Sequence, residues 1–235
     1  MFNKGNCIGV VGSGTMGNGI AHVFSQANYK VVLVDLDEAI LNKALKVISN
    51  NMRRQVKKDL ISQAEMESYI SNITISTDMN CLKESFAVIE AASENEKIKT
   101  DIFKNLDSIC SNQTILASNT SSISITKIAK ATNRPDKIIG MHFMNPVPVM
   151  KLIEVIKGKD TSEKTLEAIL EISKQLNKIP LECNDSPGFI SNRILMPLIN
   201  EATYCLMENI ADKESIDGIM KLGMGHPMGP LMLAD

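Results

Sequence analysis

Residues 7–37, "CIGVVGSGTMGNGIAHVFSQANYKVVLVDLD", decide the fold of this chain. The run "NCIGVV" at 6–11 is short, apolar and bounded by glycine, which is typical of a strand. The next segment, "TMGNGIAHVFSQANY", has helical periodicity. The run "KVVLVDLD" is continuous and rich in β-branched residues, as expected for a strand buried on both faces. This stretch therefore predicts a strand, a glycine-rich turn, a helix and a second strand.

The glycine-rich turn has the G-x-G-x-x-G spacing of dinucleotide-binding proteins at Gly12, Gly14 and Gly17. The first glycine permits the tight turn, the second lets the backbone approach a pyrophosphate, and the third lets helix and strand pack closely. The helix N-terminus offers free amide donors to the phosphates. Asp35, which ends the second strand, is positioned to accept both hydroxyls of an adenine ribose. No arginine follows it, so we expect NAD rather than NADP; a glycine turn without a ligand is the alternative.

The same alternation of strands and helices continues through the N-terminal part of the chain, with one long helical pattern from Glu38 to about Ser71 and a short helix at "CLKESF". It predicts an α/β fold with a Rossmann-type, mostly parallel sheet. After "NDSPG" the pattern becomes helical, in "FISNRILMPLINEATYCLMENIA" and "KESIDGIMKLGM". We place the boundary near Pro187, with a nucleotide-binding domain at 1–186 and an all-helical domain at 187–235. The last residues, "GHPMGPLMLAD", are expected to form an apolar run without a cap.

Composition narrows the classes of function. The 235 residues carry a formal net charge of −2, so neither nucleic acid nor an acidic membrane is expected as a partner. No apolar stretch approaches the roughly 20 residues that span a bilayer. The five cysteines are scattered, odd in number and without metal-ligand spacing. They predict reduced thiols in a cytoplasmic protein and no metal site.

One of the three histidines, His142, ends an apolar run, and Glu154 lies within another, "KLIEVI". A carboxylate is costly to bury without a partner. If the proline-containing connection "MNPVPV" folds back, the two side chains meet at one edge of the sheet. The carboxylate would then fix the tautomer of the imidazole and stabilise the imidazolium, as a general base requires. A structural histidine with satisfied hydrogen bonds is the alternative.

Six blocks in this order resemble the 3-hydroxyacyl-CoA dehydrogenases, and among them the short bacterial 3-hydroxybutyryl-CoA dehydrogenases. The blocks are "GSGTMGNGIA", "VIEAASENEKIK", "ASNTSSISI", "GMHFMNPVPVMKLIEVI", "DSPGFISNRIL" and "HPMGPL". The resemblance implies that His142 is the general base and that Glu154 holds it. It also implies that Ser121 and Asn192 lie beside the C3 oxygen of the substrate.

The resemblance implies two further groups of residues. Around NAD it implies, besides the glycines and Asp35, the residues Met16, Glu94, Lys99, Asn119, Ser121 and Asn145. For coenzyme A it implies Ser121 and the basic helical stretch with Arg54, Lys57 and Lys58. A solvated charged helix face is an equally good interpretation of each of these three cations.

The substrate implied by the resemblance is a 3-hydroxyacyl-CoA, first of all the four-carbon compound, and the implied assembly is a homodimer if the helical domain is complete. The family pattern continues through further helices beyond Asp235, so we expect the helical domain to be incomplete here. Met232 stands where relatives often have an acidic residue. Two alternatives stay open: a dehydrogenase of a CoA-free hydroxy acid, which would not need the basic stretch, and a dinucleotide-binding or structural relative without catalysis.

Overall fold

The structure, a computed structural model, describes residues 6–235. These residues form two compact units, 6–186 and 187–235, and each is described by itself.

The first unit is built on a single sheet. Within residues 6–186 its eight strands are β1 (Cys7–Val11), β2 (Lys30–Val34), β3 (Ile73–Ser76), β4 (Ala87–Glu90), β5 (Ile115–Ser118), β6 (Ile138–Phe143), β7 (Leu152–Lys157) and β8 (Ile179–Asn184). The helices of this unit are α1 (Thr15–Gln26), α2 (Glu38–Val56), α3 (Gln63–Ser71), α4 (Glu96–Ile109), α5 (Ile125–Ala129) and α6 (Glu163–Gln175).

The strand order is β3-β2-β1-β4-β5-β6-β7-β8. Neighbouring strands are parallel except β6 and β7, which are antiparallel. Residues 144–151 between β6 and β7 are too few for a crossover, whereas α6 provides the crossover from β7 to the parallel β8. The order reverses between β1 and β4, so a crevice opens there at the carboxyl ends of the strands.

The core of this unit lies between the sheet and its helices. Ile8, Val10 and Leu33 are fully buried on the strands, and Phe24 packs edge-on against Tyr29 and Phe143. The continuous apolar runs of the sequence correspond to these strands, because a parallel sheet is covered on both faces.

The helical pattern predicted from Glu38 to Ser71 is wrong in one respect, because it is interrupted after Val56. Asp59 adopts a left-handed conformation (φ 55°), and α3 starts with a capping box. In this box the backbone amide of Ser62 donates to the Glu65 carboxylate at 2.7 Å, and the Glu65 amide donates to the Ser62 hydroxyl at 3.2 Å. The predicted helix at "CLKESF" is a single 3₁₀ turn at Met79–Leu82.

The second unit consists, within residues 187–235, of α7 (Ser191–Met207), α8 (Lys213–Gly223) and α9 (Pro230–Ala234). A small core of Ala202, Ile216 and Leu231 holds them together. The last apolar run includes α9, and the Asp217 carboxylate accepts the amides of Leu231 and Met232 in its first turn, both at 2.9 Å.

The predicted class, a Rossmann-type α/β sheet followed by a helical domain, is confirmed. Along residues 6–235, no helix combines the length and the apolar character needed to cross a membrane.

Candidate active site

The turn between β1 and α1 has a shape that only glycine permits at two positions. Gly12 has φ 93°, and a Cβ added to it would lie 2.6 Å from the carbonyl oxygen of Ala91. A Cβ on Gly17 would lie 1.7 Å from the carbonyl oxygen of Gly12. At Gly14, by contrast, an added Cβ would meet no atom within 4 Å. The turn is therefore packed on its inner side and open at Gly14, as a cradle for a pyrophosphate must be.

The N-terminus of α1 faces this opening. Gly14 is its N-cap, no side chain caps the first turn, and the first turn contains no acidic residue. These features leave the positive end of the helix available to an anion. Residues from Ser13 to Gly19, together with α2 and the connection 144–151, line a cavity of about 420 Å³.

Asp35 is fixed beside the same turn, directly after β2. Its carboxylate accepts hydrogen bonds from the amide and the hydroxyl of Ser13, both at 2.7 Å, and from the amide of Leu36 at 2.7 Å. The acid predicted to contact the ribose is therefore tied to the glycine-rich turn predicted to hold the phosphates.

A buried ion pair lies at the end of β4. The ammonium of Lys99 donates to the carboxylate of Glu90 at 2.7 Å and to the carbonyl of Ala92 at 3.2 Å. Both charged side chains are almost inaccessible, at 1% and 0% exposure. Glu90 also accepts from the amide of Ala92 and from the hydroxyl of Ser118. This saturation with donors is what a buried carboxylate requires.

Glu94 connects this pair to Ser121. One carboxylate oxygen lies 3.3 Å from the Lys99 ammonium, and the other accepts from the hydroxyl of Thr120 and from the amide and hydroxyl of Ser121. Burial alone raises the pKa of Glu94, but the hydrogen bonds and the charge of Lys99 outweigh it, so the pKa lies below its usual value. Glu94 is therefore anionic at neutral pH, and it holds Thr120 and Ser121 in place after β5.

His142 and Glu154 are directly opposite in the antiparallel pair of β6 and β7. Opposite residues of such a pair point to the same face of the sheet. Nδ1 of His142 lies 2.9 Å from a carboxylate oxygen of Glu154, and both side chains are buried. The twelve-residue separation is thus the register of a hairpin, and Glu154 is buried with a partner.

The residues predicted around NAD besides the glycines and Asp35 line one cavity of about 320 Å³, which His142 also lines. They are Met16, Glu94, Lys99, Asn119, Ser121 and Asn145. The side-chain oxygen of Asn119 accepts from the amide of Phe143 at 2.8 Å, which ties the end of β5 to the strand that carries His142.

The three cations predicted to contact coenzyme A do not line either cavity. Arg54 lies in the last turn of α2, Lys57 is its C-cap and Lys58 follows in the turn, so the predicted helical stretch actually ends within this group. All three are exposed at a helix C-terminus, where cations are favoured in any case. On the cavity side, α2 presents Lys43 and Asn51, which the sequence interpretation missed.

Asn192 lies in the first turn of α7, in the second unit.

The family models identify the chain. The model described as "3-hydroxyacyl-CoA dehydrogenase, NAD binding domain" matches residues 7–186, and the model of the C-terminal domain of the same family matches residues 188–235. The chain belongs to the 3-hydroxyacyl-CoA dehydrogenase family. The resemblance drawn from the six blocks is confirmed, as are NAD as the cofactor and an NAD-dependent oxidoreductase as the class of enzyme.

Individual family members support the assignment. The chain is 50% identical to a probable 3-hydroxybutyryl-CoA dehydrogenase of Deinococcus radiodurans, over 97% of this chain and 81% of that protein. It is 47% identical to the 3-hydroxybutyryl-CoA dehydrogenase of Clostridioides difficile, with the same coverage. The crystal structure of (S)-3-hydroxybutyryl-CoA dehydrogenase from Ralstonia eutropha superimposes with a TM-score of 0.96 at 48% identity, covering 97% of this chain and 81% of that one.

Glu90 is a further residue that the sequence interpretation missed in this dehydrogenase. It ends the apolar run "AVIE", so the same reasoning as for Glu154, a carboxylate within an apolar strand, predicts a buried and partnered acid here.

Among residues 6–235, no group of three or more histidine, cysteine or acidic side chains is arranged to hold a metal ion.

Proposed function

We propose that this chain is a 3-hydroxybutyryl-CoA dehydrogenase that interconverts 3-hydroxybutyryl-CoA and acetoacetyl-CoA with NAD. The observation that carries the proposal is the 2.9 Å contact between His142 and Glu154 at the cavity lined by Asn119, Ser121 and Asn145. Relatives that share about half of the sequence bear the same substrate in their names.

In this mechanism His142 is the general base. The Glu154 carboxylate accepts a hydrogen bond from Nδ1–H of the imidazole, and Nε2 is the nitrogen assigned to the substrate. Bound NAD supplies the hydride acceptor. As the hydride leaves C3, Nε2 takes the proton of the C3 hydroxyl, and Glu154 stabilises the imidazolium that results. Reduction of acetoacetyl-CoA runs the same proton transfer in reverse.

Ser121 and Asn192 are assigned to the C3 oxygen. That oxygen alternates between hydroxyl and ketone, so neighbouring side chains that both donate and accept hydrogen bonds suit it in either form. Glu94 holds Ser121 in place, because its carboxylate accepts a hydrogen bond from the Ser121 amide at 2.9 Å.

The dinucleotide is assigned to the first unit. Gly12, Gly14 and Gly17 shape the turn for the pyrophosphate, and Asp35 receives the adenine ribose. A 2′-phosphate would be repelled by the carboxylate of Asp35, so NADH should be strongly preferred over NADPH.

Coenzyme A is assigned to the exposed cations Arg54, Lys57 and Lys58 at the end of α2. Replacing Arg54 and Lys58 by serine should raise KM for acetoacetyl-CoA and leave KM for NADH unchanged. A rise of both constants would contradict this assignment.

A homodimer formed through the second unit is part of the proposal. Its helices expose large apolar side chains, with Leu222 90% exposed and Ile194, Ile210 and Met224 each about two-thirds exposed. Exposed large apolar side chains of this kind are typical of a surface that another protein surface covers. Light scattering during gel filtration should give twice the mass of the chain, and a monomer at micromolar concentration would contradict this.

The proposed function is tested by following NADH absorbance while the protein is mixed with acetoacetyl-CoA, with NADPH and with free acetoacetate in parallel. Rapid oxidation of NADH with acetoacetyl-CoA alone is the expected result. Equal turnover of free acetoacetate would favour the CoA-free dehydrogenase. Binding of NADH without any turnover would favour the relative without catalysis.

A further inference from the structure

The connection 144–151, which joins the strands of His142 and Glu154, forms a wall of both cavities. Met144 and Asn145 line the cavity beside His142, and Asn145 through Pro148 line the cavity at the glycine-rich turn. The position of this connection therefore sets the shape of the cofactor site on two sides.

Two contacts fix the position of this connection. On α1, a Cβ added to Gly19 would lie 2.8 Å from the Cβ of Val147, so the connection packs directly on the helix backbone. The second feature is Lys178, which immediately precedes β8. Its ammonium donates to the carbonyl oxygens of Val147 at 2.6 Å and Met150 at 2.7 Å.

Lys178 is unusual because it is a buried lysine without a carboxylate partner in the part of the chain that the structure describes. Its side chain is only 8% exposed, and within residues 6–235 no carboxylate forms an ion pair with it. Burial lowers its pKa. His22 on α1 lies near enough to sense the charge of Lys178, and it is also buried. A buried ammonium without a counter-ion is costly, so the two carbonyls of the connection are what stabilises it there.

We propose that Lys178 is a positioning residue, whose ammonium clamps the connection 144–151 and thereby holds Asn145 in the cofactor cavity beside His142. The proposal rests on the proposed function, because it assigns Asn145 to NAD. His142 and Glu154 lie on strands that pair through residues 140–143 and 153–156, apart from the carbonyls that Lys178 contacts. Loss of the ammonium should therefore weaken binding of NADH and leave the proton transfer intact.

The test compares Lys178→Met with Lys174→Met, an exposed lysine of α6 four residues earlier. For Lys178→Met we expect Kd and KM for NADH to rise on the order of tenfold, the usual effect of losing hydrogen bonds to a charged group, while kcat changes less than about threefold. Lys178→Arg, which keeps a cation, should restore part of the affinity. Lys174→Met should behave like the wild type.

A lower melting temperature of Lys178→Met with an unchanged KM for NADH would overturn the proposal, since the lysine would then serve the fold alone. Wild-type protein that neither binds nor oxidises NADH would instead overturn the proposed function.

A double-mutant cycle tests whether Lys178 acts through Asn145. If it does, Asn145→Ala should raise KM for NADH by a similar factor, and adding Lys178→Met should raise it little further. Multiplying effects would contradict the clamp.

Amide hydrogen exchange measures how firmly the connection 144–151 is held in the wild-type protein, without any substitution. The amides of Val149 and Met150 donate to the carbonyl of Pro146, both at 3.0 Å, and should exchange slowly if the connection is held. Exchange at the rate of an unstructured peptide would overturn the proposal.

Discussion

Single residues in this protein show how charge is kept inside a sheet. Glu90 and Glu154 both lie in apolar strands and are both buried, and each is stabilised by a specific partner. Glu90 pairs with the ammonium of Lys99 at 2.7 Å, whereas Glu154 pairs with the imidazole of His142 at 2.9 Å. A carboxylate beside a lysine is suited to holding structure, and one beside a histidine is suited to proton transfer.

The carboxylate of Glu154 can be tested by an isosteric change. Glu154→Gln keeps the shape of the side chain but removes the charge that stabilises the imidazolium. We expect kcat to fall by roughly tenfold or more, with KM for NADH unchanged. Steady-state kinetics with acetoacetyl-CoA measure this, and Glu163→Gln at the exposed start of α6 is a matched control. A variant with wild-type kcat would exclude Glu154 from the mechanism.

Many of these residue contacts have no signature in the sequence. The pair of His142 and Glu154 could be predicted because a histidine and a carboxylate in neighbouring strands are chemically conspicuous. The clamp of Lys178 could not, because its partners are backbone carbonyls some thirty positions away, and any residue supplies a carbonyl. Lys43 and Asn51 were missed because the conspicuous charges lie further along, at the end of α2.

At the scale of the elements, the strand–turn–helix unit of residues 7–37 offers a matched pair of glycines. Gly17→Ala places a Cβ against the carbonyl of Gly12 and should destabilise the fold by roughly 2–4 kcal/mol. Gly14→Ala meets no protein atom, so its stability should stay within about 1 kcal/mol of the wild type. Gly14→Ala should nevertheless bind NADH more weakly, because its methyl group would occupy the path proposed for the pyrophosphate.

Urea unfolding and NADH titration of both variants separate the two effects. Equal stability of Gly17→Ala and the wild type would show that the turn is not packed as described. Unchanged NADH affinity of Gly14→Ala would show that the pyrophosphate does not pass this glycine.

Most elements of the first unit could be predicted because apolar runs and helical periodicity agree with the sheet. The predicted helices are wrong where a helix-capping sequence interrupts a continuous helical periodicity. The break between α2 and α3 is marked by Ser62 and Glu65, a capping signature that the apparent helical pattern obscured. The antiparallel direction of β7 follows from the shortness of the connection 144–151. The order of the strands in the sheet depends on long-range packing, which the periodicity of the sequence does not indicate.

At the scale of the whole molecule, a buried histidine makes stability depend on pH. Neither ring nitrogen of His22 has a hydrogen-bond partner among the described residues. Burial, reinforced by the charge of Lys178, lowers its pKa from 6.5 to about 4, and the nearby side chain of Gln26 offsets only part of this shift. The unfolded chain therefore binds more protons than the folded one between these values, and stability falls as the pH drops through 6.5 towards 4.

At about 1.4 kcal/mol per pKa unit, this loss approaches roughly 3 kcal/mol at the acid end of the window. Urea unfolding of the wild type between pH 7.5 and pH 5 should show the decline, and His22→Gln should flatten it. Carboxylates with lowered pKa, such as Asp107 and Asp185, lose their contribution mainly at lower pH. An identical pH dependence in His22→Gln and wild type would contradict this account.

The proposed transfer of the proton by His142 is tested most directly by kcat of His142→Gln with acetoacetyl-CoA at saturating NADH. We expect kcat to fall by roughly 10² to 10⁴, the usual contribution of a general base, while Kd for NADH from fluorescence stays at the wild-type value. Wild-type turnover in this variant would contradict the claim.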